Sequence, residues 1–142
     1  MRAQIPILTF ATEQVTSRLG RLVFEFKRCS KSLDADAVHD LRVAIRRFNQ
    51  SLRTFRSLLP RGEVRDIRKA TRQLMKMAGE IRDRDIALSW LKSAKVSPRS
   101  AMWTRLTAQR GVREKPLVDL LKQYRKRDFS SRWRSRLNLD GA

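Results

Sequence analysis

The sequence has 142 residues, close to the commonest size of a single domain, and an apolar fraction of 41% that suffices for a core. There are 33 Lys and Arg against 14 Asp and Glu, a formal net charge of +19. That excess repels itself in a compact chain and draws nucleic acid, anionic membrane, acidic protein or phosphates. The lone cysteine, Cys29, excludes an internal disulfide and a thiol metal cluster.

Five Gly, four Pro and no alternating apolar runs leave little room for strands, and helical spacing recurs instead. The start carries only a short apolar patch, IPILTFA, below the length of a signal core. No run nears the roughly 18 residues of a membrane span. A mature, soluble, cytoplasmic chain is expected.

The first helix is expected over 8–31, with Leu8, Val15, Leu19, Leu22, Val23 and Phe26 on its apolar side. SLDADAV breaks it, and Asp34 or Asp36 caps the next helix, about 36–59. There Val38, Leu41, Ile45, Phe48, Leu52, Phe55 and Leu59 share a face, and Pro60 and Gly62 end it. A third helix runs from Glu63 toward Leu91 along Ile67, Leu74, Ala78, Ile81 and Leu88, with Gly79 as a candidate kink. SAKVSPRS is a loop. A fourth helix, about 99–110, is expected to bury Met102, Trp103 and Leu106 and to be capped by Gly111. Pro116 opens a fifth through Leu117, Leu120, Leu121 and Tyr124, with a break near residues 128–131 before Trp133 and Leu137. The fold class is all-α: an antiparallel, four-helix-type bundle of long helices in one domain, 1–142.

The cations follow helix faces. At about 100° per residue, His39, Arg42, Arg46, Asn49, Gln50 and Arg53 share one side of the second helix. Arg65, Arg68, Lys69, Arg72 and Lys76 stripe the third, and Lys122, Arg125 and Lys126 cluster on the fifth. Residues 41–77 hold eleven Lys or Arg and two acids, Glu63 and Asp66. Like charges at i,i+4 destabilise a helix, so three such stripes imply an anionic partner that offsets the repulsion. A single stripe is more often a solvated face. Arginine predominates, which suits planar contact with phosphate oxygens.

Other chemistry finds little support. His39 continues the Arg stripe; Asp40, about 100° round the helix, is not expected to orient its ring. No complete acid–base pair or zinc ligand set is present. Glu80, Asp83 and Asp85 in GEIRDRDIALSWL hint at Mg²⁺, but carboxylates interleaved with Arg82 and Arg84 read better as ion pairs. Asp85 is expected to pair with an Arg of a neighbouring helix. Trp90, Trp103 and Trp133 are expected to anchor a core or an interface. No metal, cofactor or catalytic residue is assigned.

VHDLRVAIRR (38–47), followed by GEIRDRDIAL (79–88), resembles the signature of the conserved histidine α-helical domain family, CHAD. The resemblance implies an all-helical fold that binds inorganic polyphosphate in a basic groove or pore, and an association with polyphosphate granules. It implies that His39, Arg42 and Arg46 line the phosphate site, with Arg47 and Arg53 nearby. Arg82 and Asp83 match the second motif, Asp83 orienting cations. Arg72, Lys76, Lys122, Arg125 and Lys126 join the site from the helix reading. Asn49 stands where relatives often carry a basic residue. The family usually sets two such bundles in tandem, and this chain matches about one half, of the N-terminal type. A homodimer is the favoured way to rebuild the pore.

The function expected is therefore a non-enzymatic binding module for inorganic polyphosphate or another polyanion. A non-specific nucleic-acid binder is the alternative, since charge alone would serve it. A phosphohydrolase is the third reading, with no complete catalytic set behind it.

Overall fold

The computed structural model describes residues 4–140; the first three and the last two residues lie outside them. The structure is all-α. Four long helices, α1 (Gln4–Lys31), α2 (Ala35–Thr54), α3 (Arg61–Ser93) and α4 (Ala101–Lys126), are followed by a short α5 (Phe129–Arg136). Both α1 and α3 pack on α2 and α4, so α2 and α4 stand at opposite corners of the bundle.

The core forms where the apolar lines meet. Leu19, Leu22 and Phe26 of α1 face Leu41, Ile45, Phe48 and Leu52 of α2. Ile67, Leu74, Ala78 and Ile81 of α3 and Leu117 and Leu121 of α4 complete it. α5 closes one end, with Trp133 stacked on Phe48 at 5.8 Å between ring centroids and Phe129 on Phe26 at 4.6 Å. Fully burying aromatic side chains of this kind stabilises by about 1.5–3 kcal/mol each. Leu8 departs from expectation: it is exposed with Ile7 and Phe10.

The element boundaries follow local chemistry. Asp34 caps α2, its side chain accepting from the Ala37 amide at 2.8 Å. α2 stops at Thr54, earlier than expected, and a 3₁₀ turn over Arg56–Leu58 leads to Pro60, the N-cap residue of α3. Gly79 neither splits nor ends α3, which runs unbroken for 33 residues. Ser100 caps α4 through the Trp103 amide. Asp128, in the left-handed region at φ 50°, makes the break before α5.

The largest correction is α4. One helix replaces the two expected, passing through both Gly111 and Pro116. A proline inside a helix costs about 3 kcal/mol, but Gly111 and Pro116 are exposed while Leu117 and Leu121 are wholly buried. Packing of the continuous helix outweighs the lost hydrogen bond. Because α3 and α4 outrun the other two helices, Met102 is exposed and Trp103 and Leu106 are only half-buried. Trp90 is 70% exposed; only Trp133 is a core anchor.

Candidate functional site

The α2–α3 seam is a basic groove. Its floor is the α2 core line against Ile67, Leu74 and Ala78, and its walls are the polar flanks of both helices. A polar staple crosses it where the Thr71 hydroxyl donates to Asn49 Oδ1 at 2.8 Å. Above the staple lies an open depression of about 790 Å³ lined by Arg46, Asn49, Gln50, Arg53, Thr54, Arg56 and Arg68. It adjoins a second, at the α2–α3 turn, lined by Arg56, Ser57, Arg61, Val64, Arg65, Arg68 and Arg72. No carboxylate lines either one. Among the described residues, Arg65 alone of these arginines makes an ion pair, with Asp66 at 3.8 Å, both side chains being exposed.

Arg42 lies farther along the same seam. Its guanidinium rests on α3 at Gly79, and its Nε is buried with no hydrogen-bond partner. Three other buried polar atoms lack partners: both Glu25 oxygens and Arg113 Nε. Those have opposite charges within 4 Å, Arg21 and Arg28 for Glu25 and Glu80 for Arg113. Arg42 has none. Burial, and then the neighbouring charges of Arg46 and Arg82, pull its pKa down; Asp83 opposes the shift through its field, without an ion pair. The arrangement holds a cation where its charge is disfavoured, the opposite of what folding alone would select.

Several other carboxylates are engaged elsewhere. Asp85 does pair across helices, as expected: Arg110 Nε of α4 reaches it at 2.5 Å. Arg110 also binds Glu114 and donates to the Leu33 carbonyl at 2.7 Å. Glu63 and Asp66 hold Arg136, and Glu80 faces Arg113. Glu80, Asp83 and Asp85 do not converge, and no cluster suited to a metal ion occurs among the described residues. Cys29 is buried, donates to the Ala37 carbonyl, and has its thiol pushed up to about 12 by burial, so it supplies no nucleophile near neutral pH. A further cavity, under α5, is lined by aromatics and by Arg127, Arg132 and Arg136, of which Arg136 is paired with Glu63 and Asp66.

The structure separates the residues expected to act together. Arg42, Arg46, Arg53 and Arg82 belong to the α2–α3 seam, and Arg72 lines its far end. Lys76 is exposed on α3, one turn beyond Arg72, and lines neither depression. Lys122, Arg125 and Lys126 are exposed on α4, at the corner opposite α2. His39 and Arg47 face α1, lining a furrow with Arg18 and Arg21. The expectation that Asp40 would leave His39 unoriented fails: His39 Nδ1 lies 3.1 Å from Asp40 Oδ1. The reason is Arg28 of α1, which grips Asp40 at 2.5 Å, and with His39 holds its carboxyl below the ordinary range. An ionised Asp40 can only accept, so Nδ1 carries hydrogen, and Nε2 donates to an anion only in the imidazolium form. Sequence reasoning omitted Arg56, Arg61 and Arg68 from the site. The Arg68 stripe position was legible; the other two needed the turn that folds them over the groove.

A family model described as CHAD domain matches residues 13–142. The chain belongs to the CHAD domain family. A search of curated proteins and one of solved structures each find no match. The CHAD family binds polyphosphate-related ligands and is a family of helical binding domains rather than typical catalysts. In this CHAD domain no described helix is long and apolar enough to cross a membrane.

Proposed function

We propose that this CHAD domain binds inorganic polyphosphate along the α2–α3 seam, with Arg42, Arg46, Arg53, Arg56, Arg68 and Arg72 as the phosphate ligands. One observation carries the reading. Arg42 offers a buried, unpartnered donor beside two further cations, at one end of a groove whose open part no carboxylate lines. A phosphate oxygen would satisfy that donor and relieve the repulsion together. Asn49 supports it: its carbonyl is taken by Thr71, leaving the amide NH₂ to donate into the groove. Arg82 belongs to the inner end of the site, and Asp83 sets the field at Arg42. The same reading takes in a homodimer, cytoplasmic residence and association with polyphosphate granules, with no catalytic step.

The test is a competition titration at physiological salt. Long-chain polyphosphate competes against duplex DNA and single-stranded RNA at matched phosphate concentration, with Arg42→Ala/Arg46→Ala alongside. The expected result is a preference for polyphosphate of at least about tenfold (about 1.4 kcal/mol) that the double variant loses. Equal binding of nucleic acid, unchanged in the variant, would make the charge a generic field and overturn the reading.

A further inference from the structure

The basic depressions are not isolated. Arg18 and Arg47 line two successive hollows along the α1–α2 furrow, of about 270 and 240 Å³. Gln50 and Thr54 line both the second of these and the α2–α3 groove. One continuous track therefore runs from His39, over α2, into the groove. The furrow half is built for anions too. Arg18 and Arg47 make no ion pair among the described residues, and Arg21 is held in place by Glu25 at 3.3 Å and by the Phe24 ring. The one carboxylate there, Asp40, is already gripped by Arg28.

We infer that a long polyphosphate chain occupies both halves at once, crossing α2 at Gln50 and Thr54, so that Arg18 and Arg21 of α1 form an outer subsite that selects for length. This rests on the polyphosphate reading above. A helix with its side chains is about 10 Å wide, so a short anion fills the α2–α3 groove alone. A long one gains the second half as a tethered contact, at high effective concentration. At the crossing, an amide and a hydroxyl donate without adding repulsion.

Titrating the full chain with tripolyphosphate and with long-chain polyphosphate tests this. Arg18→Glu lowers long-chain affinity at least about tenfold and leaves tripolyphosphate binding unchanged. Arg18→Ala/Arg21→Ala acts in the same direction. Arg105→Glu, the same charge change on exposed α4 surface, leaves the length ratio as in the wild type. An equal loss at both lengths, or none at either, overturns the outer subsite while the groove reading stands. If Arg42→Ala/Arg46→Ala binds both ligands as the wild type does, the groove reading falls and this one with it.

Discussion

The guanidinium of Arg42 lies over Gly79, its Nε and Nη2 each 3.9 Å from where a β-carbon on that glycine would stand. That distance is ordinary van der Waals contact, so alanine fits without moving Arg42. Mid-helix Gly→Ala gains about 1 kcal/mol in helix propensity. Gly79→Ala is expected to raise stability by about that much in denaturant melts and to keep polyphosphate affinity. Gly79→Leu pushes the guanidinium away and weakens binding.

Arg42 itself is expected to trade stability for binding. Its buried Nε has no partner and its charge is disfavoured. An unsatisfied buried donor costs about 1–3 kcal/mol. Arg42→Met removes donor and charge while keeping most of the apolar stem. Without anion, Arg42→Met melts a few degrees above the wild type (about 2–4 °C per kcal/mol at this size). With saturating polyphosphate the order reverses. Scanning calorimetry with and without ligand reads both.

Asp85 and Arg110 form an inward-facing pair, 7% and 14% exposed. Breaking such a pair from one side leaves an uncompensated charge and costs about 3–5 kcal/mol, whereas replacing both partners costs far less. Asp85→Ala is expected to lower stability by an amount of that order. Arg110→Met added to it recovers part of the loss, which a double-mutant cycle in urea measures.

Acid stability carries two opposed contributions from one network, Glu25–Arg28–Asp40. Asp40, held low by Arg28 and then His39, contributes stability above the unfolded carboxyl value of about 3.9 that is lost as pH falls through its lower folded value. Glu25 is wholly buried, and burial raises its pKa. Its contribution has the other sign: present below its unfolded value, lost as pH rises through the folded one. Glu25→Gln is therefore expected to melt above the wild type at pH 7. The gap closes as pH falls through the carboxylate range, where the native glutamate takes up its proton. A pH series of thermal melts checks the sign.

The helical periodicity that predicted the fold holds for α2, because its buried positions are complete and regular. It failed at Gly111 and Pro116 because local helix-breaking signals are outweighed by burial of Leu117 and Leu121, which only the assembled bundle supplies. Met102 and Trp90 misled in the other direction: a line of apolar residues shows that a face wants covering, not that the same chain covers it. Stripe positions on a single helix were legible: Arg42, Arg46 and Arg53 do lie along one flank of α2. What no single helix reveals is which neighbour a flank faces. That is why His39 and Arg47 part from Arg42 across the crest of α2, and why Lys122, Arg125 and Lys126 stand at another corner.

The unpartnered cations of the α2–α3 seam also bear on how long the molecule survives. Anything that binds the folded chain and not the unfolded one shifts the folding equilibrium by mass action. A chain that holds like charges together without their counter-ion keeps a larger unfolded fraction, which proteases sample. On the reading proposed here, turnover in the cell follows phosphate polymer supply: abundant polymer slows degradation, scarcity speeds it, and the protein's level tracks its ligand with no change in synthesis.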